Sequence, residues 1–202
     1  MLVSEFVESF RDEHRQLLGT LLALRDALES GDTERAQEGI GELIAAAGPH
    51  LFYEGEALYP ALAGLYGDEY VSRLQAEHEN TLAAALDLAE LADMVESSHD
   101  AAERALELVS ELLPHVSERD GLAVVVEVLP EEQVGAIAEA REHARKRGVT
   151  IHEAAKGRAR RGRAKRAASR VAAKARVRKK PAVKPKAAKR IPVKVAGKKR
   201  GR

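Results

Sequence analysis

The chain contains no cysteine and no tryptophan among its 202 residues. Without cysteine, disulfides, thiolate metal sites and cysteine nucleophiles are excluded. No run of about 18 consecutive apolar residues occurs, so the sequence predicts no membrane span. The first ten residues include Glu5 and no basic residue, which argues against a secretory signal and favours a cytoplasmic protein.

Acidic residues are absent from the C-terminal part of the chain. Residues 1–155 contain all 32 acids and 11 of the 33 Lys and Arg, so their formal charge is −21. Residues 156–202 hold the other 22 basic residues, and no aromatic residue follows Tyr70. A segment of this composition cannot bury enough apolar surface to fold alone. We therefore expect a helical domain at 1–147 and a basic, largely disordered tail at 148–202.

The tail's composition suggests a polyanionic partner. Dense positive charge without aromatic rings for base stacking suits contact with phosphate backbones. The sequence thus predicts non-specific binding of nucleic acid through residues 156–202, and association with the nucleoid. A solubilising tail and a tail folded onto the acidic domain are the alternatives. At its start, Thr150 and Glu153 have the spacing of a capping box, which favours a short helix.

Apolar residues recur three and four positions apart through the first 147 residues, which predicts an all-α protein. Four long helices with short connections favour an up-down-up-down four-helix bundle. We predict these helices at about 4–30, 33–63 with a kink at Gly48-Pro49, from near 69 to 96–100 after a loop at 64–69, and from a serine cap at 97 or 98. A short fifth helix should begin at Pro130, end at Gly148 and pack over one end of the bundle.

Four of the seven histidines lie on the inward stripes of four successive helices. They are His14, His50, His78 and His115. If about a third of helix positions face inward, four independent residues would all do so by chance about one time in eighty. A single inward histidine is usually a hydrogen-bonded core residue, but four imidazoles among Leu, Ala and Val would lack partners. A bound metal would satisfy them together.

Two of these histidines are followed by acids. His50 and Glu54 are four residues apart and share a helix face. Alone this spacing also fits a surface contact, but its position on the apolar stripe favours a metal clamp. After His115 the candidate acids are Glu118 and Asp120. Asp120 would need local unwinding to reach the same centre, and we prefer it to Glu118.

The remaining histidines and the tyrosines are weaker candidates for a role at the metal site. We assign no metal to His99, His143 and His152. Three tyrosines could lie near an open coordination position, although packing or surface roles are preferred for them: Tyr53, Tyr59 and Tyr66. Imidazole and carboxylate ligands suit iron, and manganese or zinc less well.

Four sequence segments resemble the hemerythrin-like, or HHE cation-binding, family over about residues 3–130. They are "EHRQLL", "HLFYEGEALYPAL", "EHEN" and "HVSERD". The resemblance implies a four-helix bundle around a non-haem di-iron centre with oxo or carboxylate bridges. It makes the four inward histidines terminal ligands and Glu54 a bridging carboxylate, and Asp120 matches an aspartate of the oxygen carriers. The chain differs from those carriers at Leu74 and Leu82, and from the glutamate common in HHE domains at Arg119, so one metal and two metals both stay open.

The leading hypothesis is a non-haem iron protein that binds or senses oxygen, peroxide or nitric oxide and contacts nucleic acid through its tail. Weak peroxide decomposition at the iron site is compatible with the same residues, so enzymatic activity stays undecided. The main alternative is a metal-free helical interaction module whose tail binds the nucleoid. An iron store of the ferritin type ranks lower, because such sites use Glu-x-x-His pairs and more carboxylates.

Overall fold

The computed structural model describes the chain at residues 3–118 and 120–156, and the side chains of all of these except 118 and 120. The described chain contains helices and no strand. Its elements are α1 (Val3–Ser30), α2 (Thr33–Tyr53), a π-helical turn (Glu54–Leu58), α3 (Tyr59–Ala61), α4 (Ala63–Leu91), α5 (His99–Glu118), α6 (Asp120–Val126) and α7 (Glu131–Arg147). The predicted disordered tail beyond residue 156 lies outside the described residues.

The four long helices form the predicted bundle. Helices α2 and α5 both pack against α1 and against α4, so each long helix has two neighbours in the ring. Helix α6 follows α5 and continues along α1. The predicted all-α four-helix bundle is thereby confirmed. No helix among the described residues combines the length and apolar character needed to cross a membrane.

The ends of the helices follow the predicted capping residues. Gly31 has a φ of 73°, and Asp32 accepts a hydrogen bond from the backbone N–H of Arg35 at 3.2 Å. Ser98 accepts one from the N–H of Ala101 before α5, also at 3.2 Å. These side chains pair backbone donors that a helix start leaves open.

The second helix departs from the prediction. Helix α2 continues through Gly48 and Pro49, and the α-helical hydrogen-bond pattern changes only at Glu54, where the π-helical turn begins. Pro60 has no N–H and its ring would clash with the carbonyl four residues back in an α-helix. A wider turn before Pro60 relieves that conflict, which is a common reason for a π-helical turn.

The predicted loop at 64–69 was wrong in extent. Helix α4 already begins at Ala63, and only Gly67 has non-helical backbone angles, with φ 78° and ψ 164°. A φ in this range favours glycine over any residue with a Cβ atom. The sequence predicted a loop of six residues here, but Gly67 alone interrupts the helix.

Two apolar clusters fill the bundle. One contains Leu17, Leu51, Leu82 and Leu112, and the other contains Phe10, Leu58, Leu74 and Leu122. Along α1, α2 and α4 the predicted metal-binding histidine lies between a residue of one cluster and a residue of the other, and His115 lies between Leu112 of α5 and Leu122 of α6. The bundle thus has a polar layer between two apolar halves. This polar layer consists of His14, His50, Glu54, His78 and His115.

Core packing continues beyond residue 147. Val149, Ile151 and Ala154 are buried, and the last two join the same cluster as Leu17. Thr150 and Glu153 form the predicted capping box, with N–H to side-chain oxygen distances of 3.0 and 3.3 Å. Helix α7 packs against α1, α2 and the π-helical turn. Helix α7 therefore lies along the side of the bundle, whereas we expected it to cover one end.

Candidate metal centre

Each long helix contributes one buried histidine to the polar layer. The exposed fractions are 1 % for His14, 2 % for His50, 4 % for His78 and 7 % for His115, and Glu54 is fully buried. Each of these histidines lies on the apolar face of its helix, which is why folding brings them together. The structure therefore assembles five of the six residues that the sequence nominated.

The Glu54 carboxylate lies at the middle of the histidines and faces them in two pairs. Its Oε1 is 3.8 Å from His14 Nε2 and 3.5 Å from His50 Nε2. Its Oε2 is 3.7 Å from His78 Nε2 and 3.3 Å from His115 Nε2. One carboxylate oxygen is thus presented to each pair of imidazoles.

A tighter subset of the same residues could hold a single cation. His14, His50, Glu54 and His115 each offer a ligand atom, and these four atoms lie within 4.8 Å of one another. Three imidazoles and one carboxylate make a complete set for a tetrahedral ion such as Zn²⁺. Geometry therefore accommodates one cation among four ligands or two cations on either side of Glu54.

Several buried polar atoms of the layer fit a cation because they have no hydrogen-bond partner among the described residues. In the part of the chain that the structure describes, no hydrogen-bond partner is found for His14 Nε2, His50 Nε2, Glu54 Oε1 or His115 Nε2. Buried polar groups without partners are costly and rare in native proteins. A cation bound by these nitrogen and oxygen atoms removes that cost, and the donor set suits iron, manganese or zinc.

A second carboxylate, Glu13, supports the layer from outside. Its Oε2 lies 3.1 Å from His50 Nδ1 and accepts a hydrogen bond from the Tyr53 hydroxyl at 2.7 Å. Its Oε1 accepts a 2.7 Å hydrogen bond from Nε of Arg141 on α7. The network occupies Nδ1 of His50 and leaves Nε2 directed at Glu54.

Tyr59 supports the other side of Glu54. Its hydroxyl donates a 2.9 Å hydrogen bond to Glu54 Oε2, and its ring lies 5.1 Å from the His78 ring, centroid to centroid. On an α-helix a side chain five residues on would be rotated by about 140°. The π-helical turn reduces this rotation, so Tyr59 and Glu54 share a face.

The charges of the layer are strongly coupled. Burial lowers the pKa of His50, but the Glu54 and Glu13 carboxylates outweigh burial and raise it to about 9. Burial and the adjacent charge of His50 lower the pKa of His14 to about 4. Burial alone would raise the pKa of Glu13, yet His50, Tyr53 and Arg141 lower it to about 2. Without a bound metal ion, protonated His50 and the guanidinium of Arg141 therefore together balance the two carboxylates.

A small apolar cavity of about 20 Å³ adjoins the layer. Two of its lining residues are His50 and His115, and most of the others are aliphatic: Leu17, Leu21, Leu43, Ala47, Leu51, Ala85, Leu112 and Val116. A cavity needs about 10–15 Å³ on this measure to hold one water. This space therefore admits a molecule of one or two heavy atoms, and two wider clefts of about 260 and 210 Å³ are lined by His50 and by His115, respectively.

The remaining sequence candidates are placed as follows. The side chain of Asp120, and that of the alternative Glu118, lie outside the described residues. Tyr66 is 47 % exposed, in agreement with a surface role. His99, His143 and His152 are exposed, and His99 begins α5.

Sequence reasoning missed the supporting residues. Tyr53 and Tyr59, for which packing or surface roles were preferred, hydrogen-bond to Glu13 and Glu54. Glu13 and Arg141 were not considered. Glu13 directly precedes His14 in the sequence, but it contacts His50 on another helix, which adjacency along the chain does not indicate. Arg141 is 128 positions from Glu13 and only folding brings the two together.

The comparisons with known proteins agree with this geometry. No curated protein and no solved structure gives a significant match to the chain. The family model described as the hemerythrin HHE cation binding domain matches residues 5–124, which include His14, His50, Glu54, His78 and His115. The chain therefore belongs to the hemerythrin HHE cation-binding domain family.

Proposed function

We propose that this hemerythrin-like protein binds a pair of iron ions in the polar layer and presents them to oxygen, peroxide or nitric oxide. The observation that carries the proposal is the division of the Glu54 carboxylate between two pairs of histidines. In this assignment His14 and His50 would hold one ion, His78 and His115 would hold the other, and Glu54 would offer one oxygen to each. Asp120 is proposed as a further ligand from sequence alone.

The surroundings favour a small ligand. Leu74 and Leu82, the residues one turn either side of His78, are buried apolar residues and supply no further ligand. Because the protein would supply few ligands, each metal ion would keep an open coordination position, and a small molecule needs such a position to bind. Iron bound there would supply reversible redox chemistry and a site for the small ligand. The aliphatic cavity of about 20 Å³ beside His50 and His115 has room for such a small ligand.

Metal content and the ultraviolet-visible spectrum test this proposal directly. The full chain, without a histidine tag, is purified aerobically from iron-supplemented cells. We expect close to two irons per chain, with the near-ultraviolet charge-transfer bands of a bridged ferric pair. The reduced protein should then change its spectrum on addition of nitric oxide or oxygen.

Other results would redirect the assignment. One metal per chain would favour the four-ligand group of His14, His50, Glu54 and His115. A folded protein with no metal, unaffected by chelators, would overturn the proposal in favour of the metal-free interaction module. The unpartnered buried imidazole nitrogens argue against that module, because they would then have no compensation.

A second proposed activity, nucleic-acid binding by residues 156–202, rests on charge alone. These residues carry 22 of the 33 basic side chains and no acid. Binding to duplex DNA of random sequence should be lost when the chain is truncated after residue 155, and should weaken steeply with salt in the full chain. Equal binding by the truncated protein would refute the role of the tail.

A further inference from the structure

We propose that α7 completes the metal centre through Arg141, which positions His50 by way of Glu13. This inference rests on the proposed metal-binding function. Arg141 lies outside the matched family domain at residues 5–124. The centre would therefore depend on a helix that the bundle of four does not contain.

The first step is the contact between Arg141 and Glu13. Nε of Arg141 donates to Glu13 Oε1 at 2.7 Å, and Arg141 is only 7 % exposed. A buried guanidinium must be paired, because an unpaired buried charge carries a large desolvation cost. Its pairing with Glu13 therefore fixes both the carboxylate and the face of α7 that meets α1.

The second step is the contact between Glu13 and His50. With Oε1 held by Arg141, the other oxygen of the carboxylate meets His50 Nδ1 at 3.1 Å. A carboxylate at Nδ1 keeps the ring proton on that nitrogen and leaves the lone pair of Nε2 for a metal. His50 Nε2 indeed faces Glu54 Oε1 at 3.5 Å and has no hydrogen-bond partner in the described chain.

The third step distinguishes Arg141 from its neighbour Arg145. Arg145 lies one turn later and its Nη1 is 3.6 Å from the same Glu13 oxygen, but its side chain is 56 % exposed. Exposed ion pairs contribute little to stability or geometry. Arg145 is therefore a matched control that shares the charge, the helix and the carboxylate.

The docking of α7 explains how Arg141 reaches the layer. Val134, Ile137 and Ala144 are buried on the same helix, so apolar contacts on both sides of Arg141 hold it against the bundle. After α7 ends at Arg147, the backbone of Val149 and Ile151 packs against Gly48, two residues before His50. Both the helix and the segment after it thus contact the part of α2 that carries His50.

The test measures the affinity of full-length variants for Co²⁺ by competition with a chelator, and records the visible spectrum of the bound ion. Arg141→Met should bind Co²⁺ about 10- to 100-fold more weakly, the usual cost of losing an outer-sphere partner of a ligating histidine. Arg145→Met should bind it as wild type does. Arg141→Lys keeps the charge and should recover part of the loss.

Glu13→Gln and the double variant test the route of the effect. Glu13→Gln is nearly isosteric and should weaken Co²⁺ binding to a similar extent, with an altered spectrum. Adding Arg141→Met to Glu13→Gln should cause little further loss, because Arg141 acts only through Glu13. If Arg141→Met loses helicity in circular dichroism, Arg141→Lys and Glu13→Gln carry the test.

The results of Co²⁺ binding distinguish failure of the inference about Arg141 from failure of the proposed metal site. Wild-type affinity and spectrum in Glu13→Gln or in a folded Arg141→Met would overturn the inference and leave the metal centre intact. An undiminished effect of Arg141→Met in the Glu13→Gln background would also overturn it, since Arg141 would then act by another route. A wild-type protein that binds no Co²⁺ and no iron would overturn the proposed function, and this inference with it.

Discussion

At the scale of the residue, Glu54 is a carboxylate buried among histidine side chains. It is fully buried, four imidazoles lie within 3.8 Å of its two oxygens, and Tyr59 donates to it. Burial alone would raise the pKa of Glu54, but the adjacent His50 and His115 outweigh burial and hold it well below its usual range. Glu54 is therefore an anion in the core, and it needs an adjacent positive charge, from protonated His50 or from a bound metal ion.

Replacing Glu54 tests that requirement. Glu54→Gln keeps the shape but removes the charge and the bridging oxygen pair, so we expect metal affinity to fall by more than the about 10- to 100-fold typical of an outer-sphere loss. Glu56→Gln, two residues on in the same π-helical turn, should retain wild-type metal content. The measurement is metal per chain after dialysis against a weak chelator. Equal metal content in the two variants would remove Glu54 from the centre.

At the scale of the element, α2 and the π-helical turn decide how the centre is built. The turn begins at Glu54, and its extra width brings Tyr59 over the carboxylate. Before it, α2 carries Gly48 where the backbone of residues 149–151 crosses. A Cβ atom on Gly48 would overlap the carbonyl oxygen of Val149 and lie 3.0 Å from the Ile151 nitrogen. Position 48 thus requires glycine, because the backbone of residues 149–151 lies too close for a side chain.

Two glycines of α2 provide a matched pair for that claim. Gly48→Ala should destabilise the protein by roughly 1–3 kcal/mol, because backbone cannot move aside as a flexible side chain can. Gly41→Ala meets nothing within 4 Å and should stabilise it by about 0.5–1 kcal/mol through its better helix propensity. Urea unfolding of both variants gives the two values. Stabilisation by Gly48→Ala would show that residues 149–151 do not pack there.

At the scale of the whole molecule, burial of titratable groups couples folding to pH. The pKa of His14 is lowered to about 4 by burial and by His50, so its contribution to stability is present above the ordinary value of 6.5 and is lost on acidification. The pKa of Glu13 is lowered to about 2, so its contribution is lost as pH falls below 4.5. The pKa of His50 is raised to about 9, so its contribution is lost as pH rises from 6.5.

These signs predict a stability maximum of the metal-free protein near neutral pH. Urea unfolding in the presence of a chelator should show the unfolding free energy falling below about pH 6 and again above about pH 7. Glu13→Gln should flatten the part of the acid limb below pH 4.5. Metal binding should strengthen towards alkaline pH, since the ion displaces the proton on His50. A metal-free protein whose stability is constant from pH 4 to 9 would contradict the coupled charges.

The sequence by itself determined the helical bundle, the four inward histidines and their clamp with Glu54. Those features follow from periodicity, because a histidine that replaces an apolar residue on a core-facing stripe must be buried when the helix packs. It also determined the segregation of charge, since that depends on order along the chain alone.

Only the tertiary structure decided how the centre is supported. Arg141 and Glu13 meet across 128 residues, and Tyr59 reaches Glu54 through a π-helical turn that no periodicity signals. The pairing of Glu54 oxygens with particular histidines depends on the relative placement of four helices. Local pattern sets which residues are buried, but distances of 3 to 4 Å between distant residues arise only when the elements pack.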